Sequence, residues 1–159
     1  MFATSAKRCQ LLDGWLRYRE ELRKLGVVGF QWLDGSFCED LRARVPPEPG
    51  DIDVVTLYGV TQEAAPTFGT AITARTDLHP GALAKTTYGC DVYYVTLATP
   101  HGDASVKDVH YWYGLLSHRR GDEAWKGFLE VALPTTPTAD DAARAMLATM
   151  TAALPQVAP

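Results

Sequence analysis

Two short stretches, WLDGSF over residues 32–37 and PGDIDVV over residues 49–55, decide how this chain folds. In the second, Asp51 and Asp53 stand two residues apart in a run of strand-forming residues that continues to Tyr58. Residues i and i+2 of a strand point to the same face, so the two carboxylates lie side by side while Ile52 and Val54 turn to the core. Adjacent like charges cost free energy unless a counter-charge neutralises them. A hard divalent cation is the usual remedy, and Mg²⁺ takes one or two carboxylates plus phosphate oxygens. In the first stretch, GFQWLD (residues 29–34) reads as a strand that ends at Gly35 and Ser36. A glycine there lets the backbone approach a phosphate. The serine adds a hydroxyl and an N–H near a possible helix start, which favours an anion. Each dipeptide alone has a plainer explanation, a solvated strand end or turn; the signal lies in their order and context.

Outward from this pair, Arg8 to Leu25 has apolar residues at helical spacing, with Arg and Glu in the gaps and Gly26 as the stop. Phe37 to Arg44 reads as a short helix ended by the proline-rich loop from Pro46 to Gly50. Gln62 to Ala84 shows helical patches broken at Pro66, Gly69 and Pro80. DVYYVTL (residues 91–97) is the second clear strand, Val106 to Ser117 is aromatic and either helical or irregular, and KGFLEVAL (residues 126–133) is a third strand candidate. Ala139 to Leu154 reads as a final helix with Thr138 as N-cap, and the tail beyond it as frayed. Interspersed helices and strands give an α+β, α/β-like class: a mixed sheet flanked by helices in one domain spanning residues 1–159.

Composition narrows the function. The chain is 47% hydrophobic with a net charge of −4, which supports a sizeable core and argues against an extended DNA-binding face. Cys9, Cys38 and Cys90 are odd in number and form no CxxC pair, so neither a disulfide framework nor a zinc site is expected, and a reducing cytoplasm fits. No signal-like leader is evident, and no run approaches the roughly 20 apolar residues of a membrane span.

The order Gly-Ser, spacer, apolar-flanked Asp-x-Asp resembles the DNA-polymerase-β-like nucleotidyltransferase superfamily, with Gly35, Ser36, Asp51 and Asp53 on its motif. WLDGSF, PGDIDVV, CDVYYV, HYWYGLL and KGFLEVAL together look like a small bacterial branch of it, although the spacer from Phe37 to Gly50 is somewhat long. The resemblance implies a nucleotidyltransferase-type fold and Mg²⁺ (or Mn²⁺) held by Asp51, Asp53 and a third carboxylate on a neighbouring strand. Asp91 is the candidate for that third position, and an exposed strand end is the competing reading. It further implies a nucleoside triphosphate, ATP among them, held at Gly35 and Ser36, and an NMP passed to a hydroxyl on a protein or RNA. Lys126 could meet a phosphate as a point charge, and His110, Tyr111, Trp112 and Tyr113 could stack on a base. The alternatives are an inactive module of the same fold that senses nucleotide or binds a partner, of toxin–antitoxin or phage-defence type, and an antitoxin-like partner with no ligand.

Overall fold

The computed structural model describes residues 5–41, 45, 47–97, 103–119, 121 and 124–154. Among these, five α-helices surround one four-stranded mixed sheet, an α+β fold. The helices are α1 (Ala6–Lys24), α2 (Ala65–Ala74), α3 (Ala82–Tyr88), α4 (Asp103–Leu116) and α5 (Thr138–Ala153). The strands are β1 (Val27–Asp34), β2 (Ile52–Val60), β3 (Cys90–Thr96) and β4 (Leu129–Leu133), in the order β3-β2-β1-β4. β1 pairs antiparallel with β2 and with β4, while β2 and β3 run parallel, joined through α2 and α3. Parallel neighbours need such a crossover because no tight turn can join them.

The strand period divides the side chains between two faces. On one, Leu33, Val54 and Val92 lie in a core with Leu11, Trp15, Tyr18 and Leu22 of α1, Tyr88 of α3 and Leu147 of α5. α1 fits here because it starts at Ser5, whose hydroxyl accepts from the Arg8 N–H, and stops at Gly26 in the left-handed conformation. Gly14 lets α1 pass close to α3: a Cβ there would fall 2.1 Å from the Tyr88 carbonyl oxygen. On the other face, Trp32, Val55, Leu57 and Val95 form a smaller core with Leu116 of α4.

Several expectations change at element ends. The helix expected over Phe37 to Arg44 is a single 3₁₀ turn, Gly35–Cys38; Glu39 to Leu41 are not helical and residues 42–44 lie outside the described part. α2 runs through Pro66 and Gly69 rather than breaking there, because Pro66 sits in its first turn, where a missing N–H costs nothing. The stretch from Asp103 to Leu116 is helical. Lys126 to Phe128 precede β4 instead of belonging to it, and Pro137 takes the cap position expected for Thr138, which is the first residue of α5. The tail after Leu154 lies outside the described residues. Arg19, which the helical pattern groups with gap-filling charges, is 1% exposed. It is held by Asp140, Gln31 and the Ala132 carbonyl.

Candidate functional site

Strand register assembles the site. Asp34 pairs with Asp53 across β1 and β2, and Asp53 pairs with Asp91 across β2 and β3, so three aspartates form one row across three strands. Cross-strand partners share a face, and this is the α4 face. Asp51, two residues before Asp53, adds a fourth carboxylate beside the row. The next row inward is Trp32, Val55 and Tyr93, where the apolar floor begins.

These residues line a cleft of about 470 Å³. Asp34, Asp51, Asp53, Asp91 and Glu39 supply carboxylates, and Lys85 and Lys126 supply ammonium groups. Among the described residues of the lining, five acids face two lysines. Gly35, Ser36, Tyr93, Tyr111 and Trp112 also line it. The Tyr93 and Trp112 rings lie 4.5 Å apart, centroid to centroid, and form one wall with Leu115 and Leu116. Tyr113 points elsewhere, edge-on to Trp32 and Phe128, and His110 is exposed.

Gly35 is required by geometry. Its φ is +76°, and a Cβ would fall 1.7 Å from Asp53 Oδ2. The chain therefore turns in a conformation that favours glycine, with its backbone pressed against the Asp53 carboxylate. Because Ser36 is in a four-residue 3₁₀ turn, the expected help of a helix start toward an anion reduces to local N–H groups.

Both lysines sit on carboxylates. Lys85, from α3, contacts Asp51 Oδ2 and stands 3.6 Å from Asp91 Oδ2. The Asp51 hydrogen bond, with Asp91 behind it, holds the Lys85 ammonium above its ordinary range. Lys126 lies 2.9 Å from Asp34 Oδ2 and 3.2 Å from Glu39 Oε1. Burial works against its charge, but Asp34 and Glu39 overbalance burial and raise it. Asp34 is 3% exposed, and burial pushes its carboxyl up despite Lys126. Its Oδ1 is buried with no hydrogen-bond partner among the described residues.

The donor set is all oxygen, the type a hard divalent cation takes. Among the described residues, no three His, Cys, Asp or Glu side chains are gathered closely enough to close a metal cage. Each lysine instead bridges two of the carboxylates, Lys85 between Asp51 and Asp91 and Lys126 between Asp34 and Glu39. All three cysteines are free and Cys9 and Cys90 are buried; burial pushes the Cys38 thiol up to about 12 and raises that of Cys90, so neither of these two is an activated nucleophile.

Sequence reading named Gly35, Ser36, Asp51, Asp53, Asp91 and Lys126, and all six line the cleft. It missed Asp34, Glu39 and Lys85. Asp34 carried one available signal, its place at the end of the strand leading into Gly35. Among the described residues no helix is long and apolar enough to cross a membrane. No curated protein and no solved structure matches the chain. A family model described as "Family of unknown function (DUF6932)" matches residues 1–132, most of the chain, which therefore belongs to the DUF6932 family.

Proposed function

We propose that the cleft binds a nucleoside triphosphate with Mg²⁺ and transfers its NMP to a hydroxyl on a protein or RNA. The observation that carries this reading is the row Asp34–Asp53–Asp91, with Asp51 beside it and Gly35 packed under Asp53. Asp51, Asp53 and Asp91 would hold the cation, which supplies charge neutralisation for the triphosphate and the leaving pyrophosphate. Gly35 and Ser36 receive phosphate oxygens at the turn. The wall of Tyr93 and Trp112 takes the nucleoside, since ring faces stack on any base. Asp91 has a more exposed side chain than Asp51 or Asp34, at 29% against 17% and 5%. It accepts the proton of the attacking hydroxyl. The hydroxyl oxygen bonds to the α-phosphorus as the α–β bridging bond breaks and pyrophosphate departs. The acidic cleft favours a protein acceptor over a long nucleic acid, whose phosphates need many Lys and Arg.

The test is incubation with each α-labelled triphosphate, Mg²⁺ and host lysate. A discrete labelled band is expected, and it disappears when Asp51 and Asp53 both become Asn. A second reading, a sensing module without catalysis, draws on Lys85 and Lys126 already neutralising the carboxylates. Under it, nucleotide binds and no label moves under any triphosphate. If nothing binds and nothing transfers, both readings fall.

A further inference from the structure

We propose that Lys85 is a tethered competitor for the divalent cation: its ammonium occupies the space between Asp51 and Asp91, and the cation binds by displacing it. The inference rests on the reading of this cleft as a divalent-cation site. Three observations carry it. First, Lys85 touches Asp51 Oδ2 and stands 3.6 Å from Asp91 Oδ2, so one ammonium addresses carboxylates on two sides of the Asp53 position. Second, the lysine side chain is 50% exposed and rises from α3, a separate element from the strands that carry the aspartates. It can swing into water without disturbing the sheet, and its four-carbon stem is flexible. Third, among the described residues Asp34 Oδ1 is buried in the cleft lining without a hydrogen-bond partner, so an acceptor for a further cation is on hand.

The chemistry of exchange favours a divalent ion. An ammonium offers one charge and three hydrogen-bond donors, whereas Mg²⁺ or Mn²⁺ offers two charges and accepts several oxygens at once. An ammonium beside a carboxylate weakens its hold on a competing cation as it does on a proton, where the effect is about one to three orders of magnitude. Lys85 thus offsets the repulsion among Asp51, Asp53 and Asp91 in the resting protein and sets the cation concentration at which the site fills.

The experiment is Mn²⁺ titration of the full chain, followed by the electron paramagnetic resonance of free Mn²⁺. It uses wild type, Lys85→Met, Lys85→Arg and Asp53→Asn, with circular dichroism confirming that each is folded. Lys85→Met should bind Mn²⁺ about tenfold or more tightly than wild type. Lys85→Arg, which keeps the charge, should show no gain, and Asp53→Asn should bind more weakly than wild type. Equal or weaker binding by Lys85→Met, while Asp53→Asn still loses affinity, overturns the competition and leaves the cation site standing. A gain in Lys85→Arg equal to that in Lys85→Met also overturns it, since charge would then be irrelevant. Absence of Mn²⁺ binding in wild type and Lys85→Met alike removes the cation site, and the inference with it.

Discussion

Asp34 and Asp140 are both buried aspartates, at 3% and 5% exposure, and they belong to opposite faces of one sheet. Asp140 stands in the first turn of α5, where a helix start favours negative charge. Arg19 grips both its oxygens, Nε to Oδ2 at 2.7 Å and Nη2 to Oδ1 at 3.0 Å. Arg23 adds its charge 2.7 Å from Oδ2, out of hydrogen-bonding alignment. Burial alone would raise Asp140, but the two guanidinium groups overbalance it and hold the carboxyl below its ordinary range. Among the described residues, Asp34 has one ammonium, shared with Glu39, and one oxygen without a hydrogen-bond partner, and burial holds its carboxyl above the ordinary range. The same residue type is satisfied where it fastens α5 to α1 and left unsatisfied where it lines the cleft. Poor satisfaction costs stability wherever it falls: on the α5 face it falls on Arg23, whose Nη1 and Nη2 are buried without hydrogen-bond partners among the described residues, and in the cleft on the aspartate itself.

The comparison breaks first at Asp140. Asp140→Ala should lower stability by about 3–5 kcal/mol, because it strands two buried guanidinium groups. Urea denaturation measures this, and a loss under about 1 kcal/mol would mean that Arg19 is adequately held by Gln31 and Ala132 alone.

Gly35→Ala comes next and tests the other face. A non-glycine residue at positive φ costs about 1–2 kcal/mol. The new methyl group must also push the Asp53 carboxylate aside, since it would otherwise lie 1.7 Å from Oδ2. Stability should fall by about 1–3 kcal/mol. More tellingly, the rise in melting temperature expected of the wild type with Mg²⁺ or Mn²⁺ under the proposed function should be absent from the variant, because binding to the native state alone stabilises it. A metal-induced rise of wild-type size in the variant would separate Asp53 from any cation.

These two positions also mark how far sequence reaches. Gly35, Asp51 and Asp53 were legible because strand alternation and a glycine turn are local properties of the chain. Asp91 was legible as a strand start, but its place beside Asp53 depends on the parallel pairing of β2 and β3, which no local pattern specifies. Asp34 was hidden for a similar reason: the long connection from Gly35 to Asp51 leaves the β1–β2 register open, and one residue of slip would turn Asp34 to the other face. Lys85 lies on α3, one residue beyond the Gln62 to Ala84 stretch of broken helical patches and in no expected element, and its carboxylate contacts are wholly tertiary. Arg19 misleads the amphipathic reading, because its partner Asp140 is 121 residues away and only packing brings the two together.

The smallest effect is the one that sharpens the comparison most, a pair of Asp→Asn changes followed against pH. The folded-state value of Asp140 is depressed, so its contribution to stability is present above its unfolded value, near the ordinary 3.8, and is lost as pH falls through the folded value. Asp140→Asn should therefore cost most at neutral pH and progressively less in acid. The folded-state value of Asp34 is raised, so its contribution is fully present below the same ordinary 3.8 and is lost as pH rises through the folded value. At neutral pH the ionised Asp34 is a net burden, offset in part by Lys126. Asp34→Asn removes the buried charge while keeping the shape, and Lys126 retains Glu39 as a partner. The variant should be within about 1 kcal/mol of wild type at neutral pH, on the stabilised side, and should lose that advantage below the carboxylate range. Urea midpoints at matched pH values for the two variants should consequently diverge in opposite directions from wild type as pH rises from acid to neutral. Parallel curves would show that the two carboxylates are equally well matched by their surroundings, and the difference between the faces would then lie in shape alone.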